Sequence, residues 1–379
     1  MDPTARVLEL ARELGFDLAG VAPLRPPRDA ARFESWLEAG HHADMDWLMR
    51  QRERIVDPRR ILPDGRSLVV VGLAHGRPAH RFEEGGRVAR YALGRDYHNR
   101  MGKLLRKLAR ALRETGLVSS SRGIVDAGPL LERSHAEEAG LGFASKAANL
   151  LHRDHGPWFF LGELLVDLEL EPTAADGPLG SCGTCTACLD ACPTDAIRAP
   201  GVVDANLCIS YHTIENRGSI PHALRGQLDG WVFGCDVCSE VCPWGTKATA
   251  PGADSETTRG FGTHAAVASG SLVDWLHVPQ QAFAERFRGS PLQRPKRDGL
   301  ARNAALALAH APHDEGREAL LRALECDPSP RVREAAYWSL LHAHEGDAGV
   351  VSALERAGAR EDDAAARDDM RGSRATDGS

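Results

Sequence analysis

Seven of the nine cysteines stand in two runs whose spacing constrains this chain more than any other feature. The first run is Cys182-x2-Cys185-x2-Cys188-x3-Cys192, closed by Pro193. The second is Cys235-x2-Cys238-x3-Cys242, closed by Pro243. It lacks one cysteine, because Val232 occupies the expected place, and Cys208 upstream can supply that thiolate. Such runs hold 4Fe-4S clusters, and the last cysteine of each serves the other cluster. The expected sets are Cys182, Cys185, Cys188 and Cys242 on one cluster, and Cys192, Cys208, Cys235 and Cys238 on the other. Paired zinc sites also take four thiolates each, but the two prolines and the interlocked spacing favour iron–sulfur. Cys326 stands apart in a helix pattern and reads as a small buried hydrophobe.

Two clusters cannot order 379 residues, and a chain of this length divides into two or three domains. Residues 1–175 read as a layered α/β domain. Helix patterns cover 3–14, 29–39 and 99–114, and strands are expected at 67–74, 121–129 and 161–170. The strand at 67–74, "SLVVVGLA", is apolar without alternation, as a strand covered on both faces requires. Residues 176–250 are rich in Cys, Gly and Pro and read as a ferredoxin-like two-cluster domain ordered by its metal. A surface connection is expected over 251–289. Helix patterns at 299–311, 315–327 and 330–344 then give an all-α, HEAT-like repeat domain over 290–358. The apolar-poor stretch 359–379 is expected to be a disordered tail.

The net charge of −7 points to no polyanion partner, but the local balance differs. From Arg77 to Arg113 there are 11 Lys/Arg against 3 Asp/Glu, a net of +8. From Arg286 to Asn303 there are 6 against 1, a net of +5. The N-terminus is an acidic amphipathic helix pattern rather than a secretion leader, and the apolar run at 68–74 is too short to span a bilayer. A cytoplasmic monomer with no membrane partner is expected, so its cysteines are metal ligands rather than disulfides.

Paired clusters form an electron wire, and a wire needs a terminus. No Gly-rich dinucleotide fingerprint follows a strand, so the acceptor is another cofactor or a partner. Four stretches, in order, supply an answer: "YALGRDYH" (91–98), "DAGPLLERSHAEEAGLG" (126–142), "CGTCTACLDACPTDAI" (182–197) with "CISYHTIENRG" (208–218), and "GCDVCSEVCPW" (235–244). With the HEAT-like C-terminus they resemble the epoxyqueuosine reductase family across roughly residues 1–345. The resemblance implies that the N-terminal α/β domain binds base-off cobalamin, which two 4Fe-4S clusters reduce with electrons from an external donor. It implies epoxyqueuosine in the anticodon loop of tRNA as substrate and queuosine as product. One departure is visible: Lys146 is kept, but Ala147 stands where the family has Asn.

Asp126, at a strand-to-turn junction, reads from the residues alone as a turn-bracing aspartate; the resemblance makes it the proton donor to the epoxide oxygen. That role needs a carboxyl kept protonated by burial. Glu132 and Arg133 read as an ion pair bracing the turn, with Arg133 placed to reach the cofactor. Tyr91, Tyr97 and His98, beside Asp96, read as pocket lining; the resemblance leaves cobalt without a protein ligand, so His98 is not assigned to it. By resemblance Lys146, Leu150, Ser210, Tyr211, Asp236 and Val237 also belong to the cobalamin contact. Arg294, Lys296, Arg297 and Arg302, followed one repeat later by Arg331 and Arg333, read as a row of cations for the tRNA backbone. Two alternatives stay open: a reductive dehalogenase-like corrinoid reductase, and a ferredoxin-type electron carrier without catalysis.

Overall fold

The computed structural model describes residues 2–173, 179–248 and 261–376. It divides into two compact units, one of residues 1–77, 96–206 and 237–262, the other of 78–95, 207–236 and 263–379. The cysteine-rich stretch is divided between them. Six cluster cysteines lie in the first unit, while Cys208 and Cys235 lie in the second.

The first unit is built on helices and a four-stranded sheet. Helix α1 (Pro3–Glu13) leads into β1 (Leu18–Pro23), and β2 is Ser67–Ala74. Helix α2 (Tyr97–Glu114), β3 (Ser121–Ile124), α3 (Glu132–Glu138) and β4 (Phe159–Val166) complete it. The strand order is β1-β2-β4-β3, and every pair is antiparallel. The α/β expectation thus holds for its elements, but the pairing is that of an α+β layer. All eight positions of β2 are buried, which explains the unbroken valine run. Helix α2 packs on one face of β4 and β3, where a Cβ at Gly162 would collide with Met101. Helix α3 covers the other face, with Ala136 and Ala139 among Leu68, Val70, Ile124 and Leu165. Each such Val or Leu contributes about 1.5–3 kcal/mol by leaving water.

The second unit holds the helical repeats. They are α4 (Lys296–Leu308), α5 (Asp314–Cys326), α6 (Pro330–His344), α7 (Ala348–Arg360) and α8 (Ala364–Thr376). Helix α6 packs against each of the other four, and its Ala335 and Ala336 let the axes approach closely. The tail expectation fails over 364–376: α8 buries Ala366, Met370 and Ser373. Its polar composition hid the three buried positions spaced three to four residues apart. Residues 377–379 lie outside the described residues. So does 251–260 of the expected connection; the rest carries short helices at Ala265–Ala268, Leu272–Leu276 and Gln280–Arg286, with Trp275 fully buried. Cys326 is exposed, not buried as expected, because it lies on the outer face of α5 with Arg322 and Glu325. Among the described residues, no helix is long and apolar enough to cross a membrane.

Candidate functional site

The site in the first unit forms where α2 begins and β3 ends. Asp96 caps α2, accepting from the His98 backbone N–H at 3.0 Å and from His98 Nδ1 at 2.7 Å. The other ring nitrogen, Nε2, lies 3.3 Å from Asp126 Oδ2. Tyr97 stacks on His98 at 4.2 Å and on Phe160 at 4.1 Å, and it hydrogen-bonds the Asp126 carboxylate. Asp126 sits just past β3 with φ +47°, a left-handed conformation that costs a non-glycine residue about 1–2 kcal/mol. Its backbone N–H donates to Glu132 Oε1 at 2.6 Å, which holds the strained turn. Glu132 therefore braces the turn as expected, but not through an ion pair with Arg133. The Arg133 guanidinium donates to the Ala148 carbonyl instead.

Charge is arranged as a chain of alternating sign. Burial disfavours the His98 cation, but hydrogen bonds to Asp126 and Asp96 outweigh burial and push the imidazole up to about 9. Partial desolvation opposes ionisation of Asp126, yet the His98 cation and the Tyr97 hydrogen bond hold it below the ordinary carboxyl range. Asp96 is likewise lowered by His98 against its own burial. The expectation of a protonated Asp126 is thus corrected: the proton rests on His98, and the Asp126 side chain remains 59% exposed. The raised carboxyls are its neighbours. Burial first, and the Asp126 charge second, push Glu132 up to about 7. Burial and then Glu132 push Glu163 well above its usual range. Glu163 is wholly buried at the middle of β4, opposite Val70 and Ile124, with Glu132 as its carboxyl neighbour. No periodicity argument singled it out, because a single polar residue in an apolar strand changes no pattern.

A second feature of this unit is a cavity of about 50 Å³ lined by Cys182, Cys185, Cys188, Cys238 and Cys242, with Ala147 and Asn149. Burial, then the neighbouring Cys182 thiol, pushes the Cys188 thiol up. Five thiols line the cavity, four of them the set expected on one cluster and Cys238 a member of the other, and thiols spread around a cavity fit a cluster that is wider than one ion. Gly183, at φ +49°, makes the turn inside the first Cys-x2-Cys. Lys146 donates to the carbonyls of Gly183 and Cys185 at 2.9 and 2.8 Å, so it pins the cluster loop. Asn149, not residue 147, supplies the amide here: it donates to Cys238 Sγ at 3.8 Å and to Ser239 Oγ at 3.1 Å. Leu150 is buried and packs in the core. Val237 starts the short helix Val237–Glu240.

The remaining expected cofactor residues lie in the second unit. Tyr91 contacts Phe233, Ser210 and Tyr211 open the helix Ile209–Ile214, and the buried Asp236 carboxylate accepts from the Arg90 backbone N–H at 2.7 Å. The arginine row is corrected at two of its six positions. Arg297 is buried against Asp327 at 2.7 and 2.5 Å. Arg302 is buried on the carbonyls of His212, Asn216 and Gly218. Arg333 is held by Glu361 at 2.8 and 2.6 Å, and Arg294 by Glu215 at 2.8 and 2.9 Å. Lys296 and Arg331 are exposed. Arg297 and Arg302 cannot meet phosphates from inside the unit, and their phosphate role is withdrawn.

Comparison with known proteins decides the family. A curated epoxyqueuosine reductase of Xanthomonas campestris is 38% identical over 89% of this chain and 96% of its own length. This chain belongs to the epoxyqueuosine reductase family. The family model described as epoxyqueuosine reductase QueG, DUF1730, matches residues 56–127, which end just past Asp126. A 4Fe-4S double cluster binding domain model matches 181–245, and HEAT repeats match 292–371. The HEAT match reaches into α8, in agreement with its burial. A crystal structure of an epoxyqueuosine reductase with an epoxyqueuosine-modified tRNA-Tyr stem loop superposes with TM-score 0.83 at 28% identity, covering 97% of both chains. The Bacillus subtilis epoxyqueuosine reductase, with an aspartate catalytic loop swung out of the active site, gives TM-score 0.81 at 27% identity and the same coverage. Membership in this family sets aside both the dehalogenase-like and the electron-carrier alternatives.

Proposed function

We propose that this chain reduces epoxyqueuosine in the anticodon loop of tRNA to queuosine, with His98 and Asp126 as its proton-delivering pair. The observation that carries the reading is the Asp96–His98–Asp126 chain, set in the same unit as the thiol-lined cavity. The reaction removes the epoxide oxygen as water and forms a carbon–carbon double bond, consuming two electrons and two protons. Oxygen leaves an epoxide readily only if it is protonated as the carbon–oxygen bond breaks. The imidazolium stores that proton, and the Asp126 carboxylate, exposed beside it, passes it to the substrate oxygen.

The eight clustered cysteines are the ligands of the double cluster, which takes electrons from an external donor. Cobalamin, when bound, would supply a strongly reducing metal centre to the epoxide. His98 fits a cofactor bound without a protein ligand, because both its ring nitrogens are already engaged. Glu132 keeps the Asp126 turn in place, and Lys146 and Asn149 order the cluster loop.

The test is turnover of epoxyqueuosine-containing tRNA by the holoenzyme and by Asp126→Asn. The substitution keeps size but removes the proton carrier, so a rate loss of about 10²–10⁴-fold is expected, with unchanged iron and corrinoid content. Wild-type turnover in Asp126→Asn sinks the proton-delivery role; a wild-type holoenzyme that leaves the modified tRNA untouched sinks the function.

A further inference from the structure

The strongly basic stretch of the sequence resolves into one helix face. Helix α2 starts at the site with Tyr97 and His98 and runs 18 residues, about 27 Å. Its buried side carries Met101, Leu105, Leu108 and Leu112. Its opposite side carries Lys103, Arg106, Lys107, Arg110 and Arg113, all exposed. Among the described residues, the acidic partner on this face is Glu114 at the far end, 3.6 Å from Arg110.

This charge pattern works against the helix that carries it. Lys103/Arg106, Lys103/Lys107, Arg106/Arg110, Lys107/Arg110 and Arg110/Arg113 are all like-charge pairs at i,i+3 or i,i+4. Each such pair is unfavourable by a few tenths of a kcal/mol. Only Arg110 and Arg113, near the helix C-terminus, gain from the macrodipole. A solvated face built for folding alone would alternate in sign. Here the cations are segregated on a chain whose net charge is −7.

We propose that the outer face of α2 is a docking track for the phosphate backbone of the RNA substrate. The argument rests on the function proposed above: a base held at His98 and Asp126 places its own strand beside the start of this helix. Charge complementarity chooses the occupant. A polyanion relieves the repulsion among these side chains, whereas a neutral or basic partner would not. It also relocates the RNA contact from the repeat arginines, two of which are buried.

The test is equilibrium binding of an unmodified anticodon stem–loop RNA to the holoprotein, followed by fluorescence anisotropy across salt concentrations. The comparison is with the triple variant K103Q/R106Q/K107Q. The variant should bind at least about tenfold more weakly near 0.1 M salt, and its log–log salt slope should fall by about 2. In turnover its KM should rise while kcat at saturating RNA stays unchanged. It should melt at or above the wild-type temperature, because repulsion has been removed. Binding and salt slope equal to wild type overturn the docking track, and leave the function intact if wild type turns over. Unchanged RNA binding with slower reduction by an acidic electron-transfer protein overturns it in favour of a donor site. A wild-type holoprotein that binds no stem–loop at all removes the function reading and the track together.

Discussion

The two units differ in the buried charge they carry. In the helical unit the buried arginines are answered by partners, while burial pushes Glu334 up to about 7. Arg225 is 1% exposed, and it takes both oxygens of Asp369 at 2.9 and 2.6 Å and the Ile220 carbonyl at 2.8 Å. Arg302 sits on three carbonyls and the Asn303 side chain. In the sheet unit, Glu132 and Glu163 are buried against each other and beside Asp126, so three carboxyls crowd one another. Partnered charge serves architecture, whereas crowded charge forces protons to be held.

The comparison breaks most visibly at Arg302. Arg302→Ala leaves three buried carbonyls without their donor, and it should cost the helical unit about 3–5 kcal/mol. Denaturant unfolding followed by tryptophan fluorescence measures it, since Trp275 and Trp338 are buried in that unit. A loss below 1 kcal/mol would mean that Arg302 is not a structural cation. Arg297→Met is the milder companion, because Asp327 keeps the hydrogen bond from the Ser329 backbone N–H.

His98 is next. The proton it stores is lost as pH rises through about 9, so the rate of the wild-type enzyme should fall on that alkaline limb. His98→Gln keeps a hydrogen bond to Asp126 without the titrating proton. It should lower kcat by about 10²-fold and remove the limb from the pH profile. An unchanged limb would place the titrating group elsewhere.

The smallest effect is expected at Glu132. Its folded pKa of about 7 lies above the ordinary 4.5. The stability it contributes is therefore complete below about pH 4.5 and is lost as pH rises through about 7. One proton changes stability by at most about 1.4 kcal/mol per pH unit. Glu132→Gln should flatten the stability of the holoprotein across that window, as read by thermal melts between pH 5 and 8. A slope equal to wild type would assign the proton to Glu163 alone.

Much of this molecule was legible in the sequence because its signals are local. Ligand spacing, the strand at 67–74, the helices from 296 onward and the strand-to-turn position of Asp126 are all written within short windows. The contact of Asn149 with Cys238 was not, because 89 residues separate them and only the fold brings them together. Helix α8 was missed because its polar composition outweighed three buried positions.

The sequence by itself determined the chemistry available: eight thiolates at cluster spacing, an aspartate beside a histidine-bearing helix, and a basic stretch from 77 to 113. The tertiary structure decided which charges face water. Arg225 meets Asp369 from 144 residues away, and Glu163 meets Glu132 across a strand and a helix. Whether a charged side chain is paired, crowded or exposed depends on partners that only folding brings near, and desolvation then sets which of them hold protons.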